Sequence, residues 1–244
     1  MHLVSFINNR KAINKNNLYM TTLFLTVHTR YKDVLYGLFE NEKLIASTQQ
    51  EHKQVSAFFP ACIEDLLHAH NLHLSDVSFI AAHQGPAPFT TLRVSLTFLN
   101  GISFAKHISL IGVDGLYTFV QEHKNNQYDY TLALLNAFCD DVYYGLLNNK
   151  TGEFTKGSAR AQLYIQEISK TLNGSIYCIG NGVTLYKQII ENSMQVQAVI
   201  PEIVPEMVSL EAVGLRAFEQ WQIKENIQKQ LMPLYLKAYT VSSC

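Results

Sequence analysis

One short segment occurs twice in this chain. Asp33-Val34-Leu35-Tyr36-Gly37-Leu38 is matched by Asp141-Val142-Tyr143-Tyr144-Gly145-Leu146, and the surroundings repeat with it. In the first half, strand-like runs cover 23–27, 34–39 and 43–48, joined by polar turns at Tyr31-Lys32 and Glu40-Asn41-Glu42. In the second half they cover 130–137, 141–146 and a segment around Phe154, joined by Phe138-Cys139-Asp140 and by the polar residues 148–152. Three strands on tight turns make an antiparallel meander. A hexamer alone could recur by chance. A hexamer that recurs inside the same strand–turn context indicates a duplicated unit. The chain of 244 residues is therefore read as two lobes, 21–122 and 123–244, with the boundary in the polar stretch 123–129.

Helices follow each meander. Residues 51–71 carry Val55, Phe58, Phe59, Cys62, Ile63, Leu66 and Leu67 at spacings of three and four, the period of a helix with an apolar face. Pro60 belongs in its first turns or kinks it. A strand over 78–82 is stopped by Gln84-Gly85-Pro86-Ala87-Pro88, whose prolines set the start of a helix over 89–106. A strand over 108–113 completes a unit whose loop is a place where α/β proteins bind ligands. The 89–106 helix is apolar on two sides: Leu92, Leu96 and Leu99 form one row, and Val94, Phe98, Ile102 and Ala105 another. Ser95, Gly101 and Ser103 are small enough for close approach. Such a helix is either central to its own domain or shared with a partner.

Asp114 then reads as the cap of a short helix to 121. The second half continues with a helix over 158–172 capped by Ser158, a strand over 175–180, and a helix opened by Gly180-Asn181-Gly182 and running to 190. A strand over 196–200 and a helix over 209–221 capped by Ser209 follow. That last helix is free to pack back on the first lobe.

Charge and composition remove several classes of function. A net charge of −1 argues against a broad basic face for nucleic acid. No apolar run approaches the roughly 20 residues of a membrane span. Cys62, Cys139, Cys178 and Cys244 are scattered, with no CxxC pair, so neither a metal site nor a disulfide framework is expected and the chain reads as reduced and cytoplasmic. His68, His70 and His73 cluster without the four-residue spacing that places two imidazoles on one helical face, and read as a solvated helix end. His83 and His107 flank the 89–106 helix, too far apart in sequence to act as a pair. No Ser-His-Asp or Cys-His arrangement is visible. The first nineteen residues are rich in Asn and carry Arg10, Lys11 and Lys15 without an acid. The apolar piece Leu3-Val4-Ser5-Phe6-Ile7 is too short for a signal-peptide core. Residues 1–20 are read as a disordered or non-native extension, with Met20 as the functional start and the fold beginning at Thr21.

These residues resemble a known family. Gly85-Pro86-Ala87-Pro88-Phe89-Thr90-Thr91-Leu92-Arg93 is similar to the GPGSFTGLR signature of the TsaB (YeaZ) family. Leu74-Ser75-Asp76-Val77 stands where that family has LSDL, Ile111-Gly112-Val113 where it has VGV, and Ile179-Gly180-Asn181-Gly182 where it has VGNG. Pro233-Leu234-Tyr235-Leu236-Lys237 resembles its PxYLR tail. The likeness extends from about Thr21 to Lys237. It implies an α/β fold of two actin-like (ribonuclease H-like) lobes, each a mixed sheet with an antiparallel meander and flanking helices. It also implies a role in tRNA N6-threonylcarbamoyladenosine (t6A) modification as the non-catalytic partner of the transferase TsaD, in an assembly joined by the ATPase TsaE. Contact with tRNA would be indirect, through the complex. The resemblance places the partner surface on the first two helices, which pair with those of TsaD or of a second TsaB. The implied contact residues are Val55, Phe58, Phe59, Cys62, Ile63, Leu66, Arg93, Leu96, Phe98, Leu99 and Ile102.

The loops that hold Mg·ATP in actin-like proteins need an Asp for the metal and glycines that let backbone N–H groups reach phosphate. Here His28 stands at the first Asp position and Asn136 at the second. In the signature, Ala87 and Thr91 replace glycines and Pro88 replaces serine. No cofactor is expected in this subunit, with nucleotide only at a complex interface. Arg93, Gly180, Asn181 and Gly182 are the residues left as candidates for such a contact. Two rival readings remain open: a stand-alone ATPase or kinase of the same fold, and a diverged homodimeric interaction protein.

Overall fold

The apolar run that opens the first meander is β1 (Leu23–Thr29), buried beyond its first residue because it is covered on both faces and paired on both edges. It pairs antiparallel with β2 (Asp33–Glu40), which pairs with β3 (Lys43–Glu51). The chain then forms α1 (Val55–His68), β4 (Phe79–His83), α2 (Phe89–Lys106), β5 (Ser109–Val113) and α3 (Gly115–Glu122). The second half repeats the order: β6 (Tyr130–Asn136), β7 (Asp141–Asn148), β8 (Phe154–Arg160), α4 (Ala161–Thr171), β9 (Ile176–Ile179), α5 (Asn181–Leu185), α6 (Lys187–Met194), β10 (Ala198–Val199) and α7 (Leu210–Gln222). A last strand, β11 (Ile227–Gln228), adds to the edge of β5. This computed structural model describes residues 21–194 and 198–237, so the expectations for 1–20 and for the start of the 196–200 strand lie outside the described residues.

The two sheets have the same topology. The first runs β11-β5-β4-β1-β2-β3 and the second β10-β9-β6-β7-β8. In each, the first strand is antiparallel to the second and parallel to the fourth. The lobes are duplicates of one mixed-sheet plan with an antiparallel meander and flanking helices, as the repeat predicts, and the repeated hexamer lies on β2 and β7.

The glycine of that hexamer has a physical reason in both copies. The closing helices are exchanged: α7, from the second lobe, packs on the first sheet, and α3, from the first, packs on β6 and β7 of the second. A Cβ on Gly37 would lie 3.1 Å from Leu210 of α7, and one on Gly145 would lie 3.0 Å from Leu116 of α3. Each glycine marks the place where the other lobe's last helix crosses the sheet. The exchange builds a core shared by both lobes, with Phe24, Phe39, Phe79, Leu116, Phe119, Leu135, Val213 and Phe218 fully or almost fully buried. Phe24 stacks on Phe79 at 4.4 Å and on Phe39 at 5.0 Å, contacts worth about 1 kcal/mol each beyond the area they bury. The outer face of the first sheet carries α1 and α2, and that of the second carries α4, α5 and α6.

Asp114 joins the lobes at the start of α3. Its Oδ1 accepts the backbone N–H groups of Leu116 and Tyr117, both at 3.1 Å. Its other oxygen meets Lys156 of β8 across the lobe boundary. Asp114→Ala removes the cap and the ion pair, and is expected to cost about 1–2 kcal/mol in denaturant unfolding. Asp114→Asn keeps an N-cap acceptor and should cost less than half as much. Equal losses would show that the interlobe pair, not the cap, carries the effect.

Several boundaries differ from the sequence expectation. Residues 51–54 extend β3 and form one 3-10 turn, so α1 starts at Val55. Ser158 lies inside β8 rather than capping a helix; α4 begins after Arg160. The helix opened by Gly180 breaks at Tyr186 into α5 and α6. β11 carries no strand signal of its own and exists because the edge of β5 accepts it. Cys62 and Cys178 are free thiols.

Candidate functional site

The loop before α2 aims that helix. Gly85 has φ 112°, the Gly85–Pro86 peptide is cis, and the Gly85 carbonyl accepts the Gly115 N–H at 3.1 Å. Pro88 stands at the N-cap position and the helix runs from Phe89, as its prolines dictate. It ends at His107, which has φ 55°, with the Ser103 hydroxyl donating to the Ile108 carbonyl at 2.6 Å.

Both α1 and α2 turn one row of side chains into the sheet. Val55, Phe59, Ile63, Leu66, Leu96 and Leu99 are buried in the first-lobe core. These residues were expected at a partner surface. Their burial takes them away from direct contact, Ile63 excepted, which reaches the floor of the groove described next. The helical period reveals two apolar rows, and only the sheet decides which row it covers. Phe58 is 52% exposed, Arg93 is exposed, and Cys62, Phe98 and Ile102 are half-buried.

Between the outer sides of the two helices runs an apolar groove of about 600 Å³. Pro60, Ile63, Val94, Phe98, Ile102 and Ala105 line it, and Glu64, Arg93 and Lys106 stand at its margins. Phe98 is held from below by stacking on Phe59 at 5.0 Å. Gly101 opens the groove, since a Cβ there would meet nothing within 4 Å. Phe104, one turn from Gly101's neighbours, is 85% exposed. An apolar face of this kind lowers its free energy only when another surface covers it.

Arg93 belongs to this groove. Its guanidinium lies 4.4 Å from the centre of the Phe89 ring, and its Nε donates to the Tyr235 hydroxyl at 3.1 Å. The glycines considered for cofactor contact serve packing. A Cβ on Gly180, where φ is 105°, would lie 2.1 Å from the Leu134 carbonyl oxygen, and one on Gly182 would lie 2.8 Å from it. They let α5 press against β6. Asn181 accepts the Asn136 N–H at 2.9 Å, and the Asn136 side chain accepts the Phe138 N–H at 2.9 Å. Both asparagines thereby shape the β6–β7 turn.

Contacts that the sequence did not disclose lie where the β1–β2 turn of one lobe meets β6 of the other. Tyr31, on the β1–β2 turn, donates to the Asn136 carbonyl at 2.6 Å, tying the two loops to each other. Beneath them His28 and His83, at the ends of neighbouring strands β1 and β4, are fully buried, with ring centroids 4.7 Å apart. Their four ring nitrogens have no hydrogen-bond partner. Burial pushes His83 down to about 4, against a smaller upward pull from Asp114. Burial, then His83 and Arg30, hold His28 well below the ordinary imidazole range. His68 and His73 meet edge to face at 5.6 Å. Among the described residues no group of three or more His, Cys, Asp or Glu side chains could hold a metal ion. No helix among them is long and apolar enough to cross a membrane.

A family model described as "TsaD: tRNA N6-adenosine threonylcarbamoyltransferase" matches residues 45–160, the span from β3 to β8 that contains α1 and α2. A protein of Buchnera aphidicola subsp. Schizaphis graminum named "tRNA threonylcarbamoyladenosine biosynthesis protein TsaB" is 29% identical over 173 residues, covering 67% of this chain and 75% of that protein. Its namesake in Escherichia coli is 25% identical over 126 residues, covering 49% and 54%. Among solved structures, YeaZ from Pseudomonas aeruginosa superimposes with a TM-score of 0.66 at 20% identity, over 88% of this chain and 100% of that one. That likeness is one of fold.

Proposed function

We propose that the chain is a member of the TsaB (YeaZ) family, as its relatives and its motifs support, and that it serves tRNA N6-threonylcarbamoyladenosine biosynthesis as a non-catalytic subunit that binds a TsaD-type transferase through the α1–α2 groove. The observation that carries this reading is the groove itself. It is apolar, covered by none of the described residues, and walled by Val94, Phe98 and Ile102, the row of α2 that the sheet does not use. The relatives' names support the pathway, and the matched span supports the location of the surface. The subunit would act in the cytoplasm, alongside a TsaE-type ATPase, and would meet tRNA and any nucleotide only through the assembled complex.

A catalytic role for this subunit finds little to work with in its side chains. The two loops that meet through Tyr31 and Asn136 present His28, buried and neutral, and Asn136, engaged in the turn. One solved structure of this fold is described as similar to a peptidase. In this chain the free thiols are poorly suited to that chemistry: burial pushes Cys178 up to about 12, and burial with the nearby Asp65 raises Cys62. A protonated thiol is a poor nucleophile.

The test is co-purification. Tagged chain is expected to retain the organism's TsaD-type protein, and a deletion strain should lose the modified nucleoside. Absence of a complex, together with undiminished modified nucleoside, overturns the proposal. Calorimetry with Mg·ATP on the purified chain separates it from a stand-alone ATPase or kinase, which would bind tightly. A stable homodimer in a strain that retains the modification would favour the diverged interaction protein.

A further inference from the structure

After β11 the chain passes from the first lobe to the second as a segment without helix or strand, residues 229–237. It is fastened at both ends. On the first lobe, Asn100 of α2 holds Leu231 in both directions: Nδ2 donates to its carbonyl at 3.0 Å, and Oδ1 accepts its N–H at 2.8 Å. Gln84, in the loop that aims α2, donates from Nε2 to the Met232 carbonyl at 2.7 Å, and its own carbonyl accepts the Leu234 N–H at 2.9 Å. Leu231 is 1% exposed and sits in the core beneath α2. On the second lobe, the Ser158 hydroxyl of β8 donates to the Leu236 carbonyl at 2.9 Å. Lys237 donates to the Ala137 carbonyl at 3.2 Å and lies 2.7 Å from the Asp141 carboxylate, both at the β6–β7 turn. Midway, Tyr235 takes the hydrogen bond from Arg93, which lines the groove.

We propose that this segment is a strap that mechanically couples the β6–β7 turn of the second lobe to helix α2 and its groove. A segment with no sheet partners of its own has low intrinsic stability and takes its position from its anchors. An anchor lost on one lobe therefore loosens the strap's hold on the other. The same chain of contacts lets a change at the β6–β7 turn reach Arg93, since Lys237 and Tyr235 are two residues apart in this segment. The ammonium of Lys237 also occupies the Asp141 carboxylate, so anything that competes for that carboxylate competes with the strap. The coupling holds whether or not the groove receives a transferase, and its test uses the chain alone.

Hydrogen exchange of the full chain reads the coupling. Asn100→Ala removes both hydrogen bonds to Leu231 in the first lobe. Amides in residues 137–141, in the other lobe, should then exchange about threefold faster or more, the loss of one or two hydrogen bonds' worth of protection. Amides in residues 176–179, on β9, should not change. Lys237→Met is the reciprocal variant at a partly exposed position, and should accelerate Leu92, Arg93 and the amides that follow them in α2. Acceleration confined to the lobe that carries the substitution overturns the proposal. So does a uniform acceleration that includes residues 176–179, since the variant would then merely have loosened the fold.

Discussion

Gly101→Trp is expected to weaken binding of the TsaD-type subunit by about 30-fold or more while leaving the fold as stable as before. The separation follows from where Gly101 stands. Nothing lies within 4 Å of the Cβ that a substitution would add, so the first lobe is not asked to move. The position is exposed on a helix, where glycine is the least favourable residue after proline, so tryptophan or alanine there recovers about a few tenths of a kcal/mol or more. The indole enters the groove between Pro60 and Phe98 and occupies space a partner helix would need. A side chain at the centre of such an interface commonly controls about 2 kcal/mol or more of binding, and 1.4 kcal/mol is tenfold. Gly101→Ala is the control, with a melting temperature raised slightly and binding changed far less. The measurement is titration by calorimetry beside thermal unfolding. Wild-type affinity for the tryptophan variant, with its melting temperature unchanged, would mean that the partner sits elsewhere.

The second large effect is loss of stability in mild acid, set by His28 and His83. Both rings are fully buried and neutral in the folded chain, with lowered pKa values. The unfolded chain takes up protons near the ordinary value of 6.5, while folded His83 resists until about 4. Between those values the unfolded state binds more protons, so stability is complete above pH 6.5 and falls as the pH drops toward 4. For His83 the interval corresponds to about 3 kcal/mol, and His28 adds in the same direction. Half-buried His123, lowered chiefly by burial against the pull of Glu122, contributes with the same sign. Carboxylates act in a separate window. Asp129 is held at about 2 by Lys150 and Ser175, so its stabilisation is lost only below about 3.8. Denaturant midpoints from pH 7 to 4.5 are therefore expected to fall steeply, and the double variant His28→Leu/His83→Leu should flatten most of the slope. A flat wild-type profile would show that the two imidazoles are solvated or bonded in solution.

The elements were largely legible before the structure. Residues 89–106 form a helix as read, because two prolines and a following apolar period leave few alternatives. Ser209 caps α7, accepting the Ala212 N–H at 3.0 Å, and Asp114 caps α3. The duplication was legible from one hexamer and its turns. Ser158 was misread because a serine before an apolar stretch is a cap only if the strand has ended, and β8 continues to Arg160. The glycines at 180 and 182 were read through a family motif, whereas their immediate cause is the Leu134 carbonyl.

The candidate site divides along the same line. The sequence showed that α1 and α2 carry more apolar surface than one packing face needs, which is a property of each helix alone and follows from its period. It could not assign Phe59 to the core and Phe58 to solvent, since the two are neighbours with the same side chain. The sheet made that choice, as it did in burying Leu96 and leaving Phe98 for the groove. Contacts such as Tyr31 with Asn136, His28 with His83, and Lys237 with Asp141 join residues far apart in the chain. The sequence by itself determined periods, caps, turns and the twofold repeat, because those depend on residues within a few positions of one another. The tertiary structure decided which faces meet, which polar groups are stranded and which surface stays open, because burial is set by everything that packs around a residue.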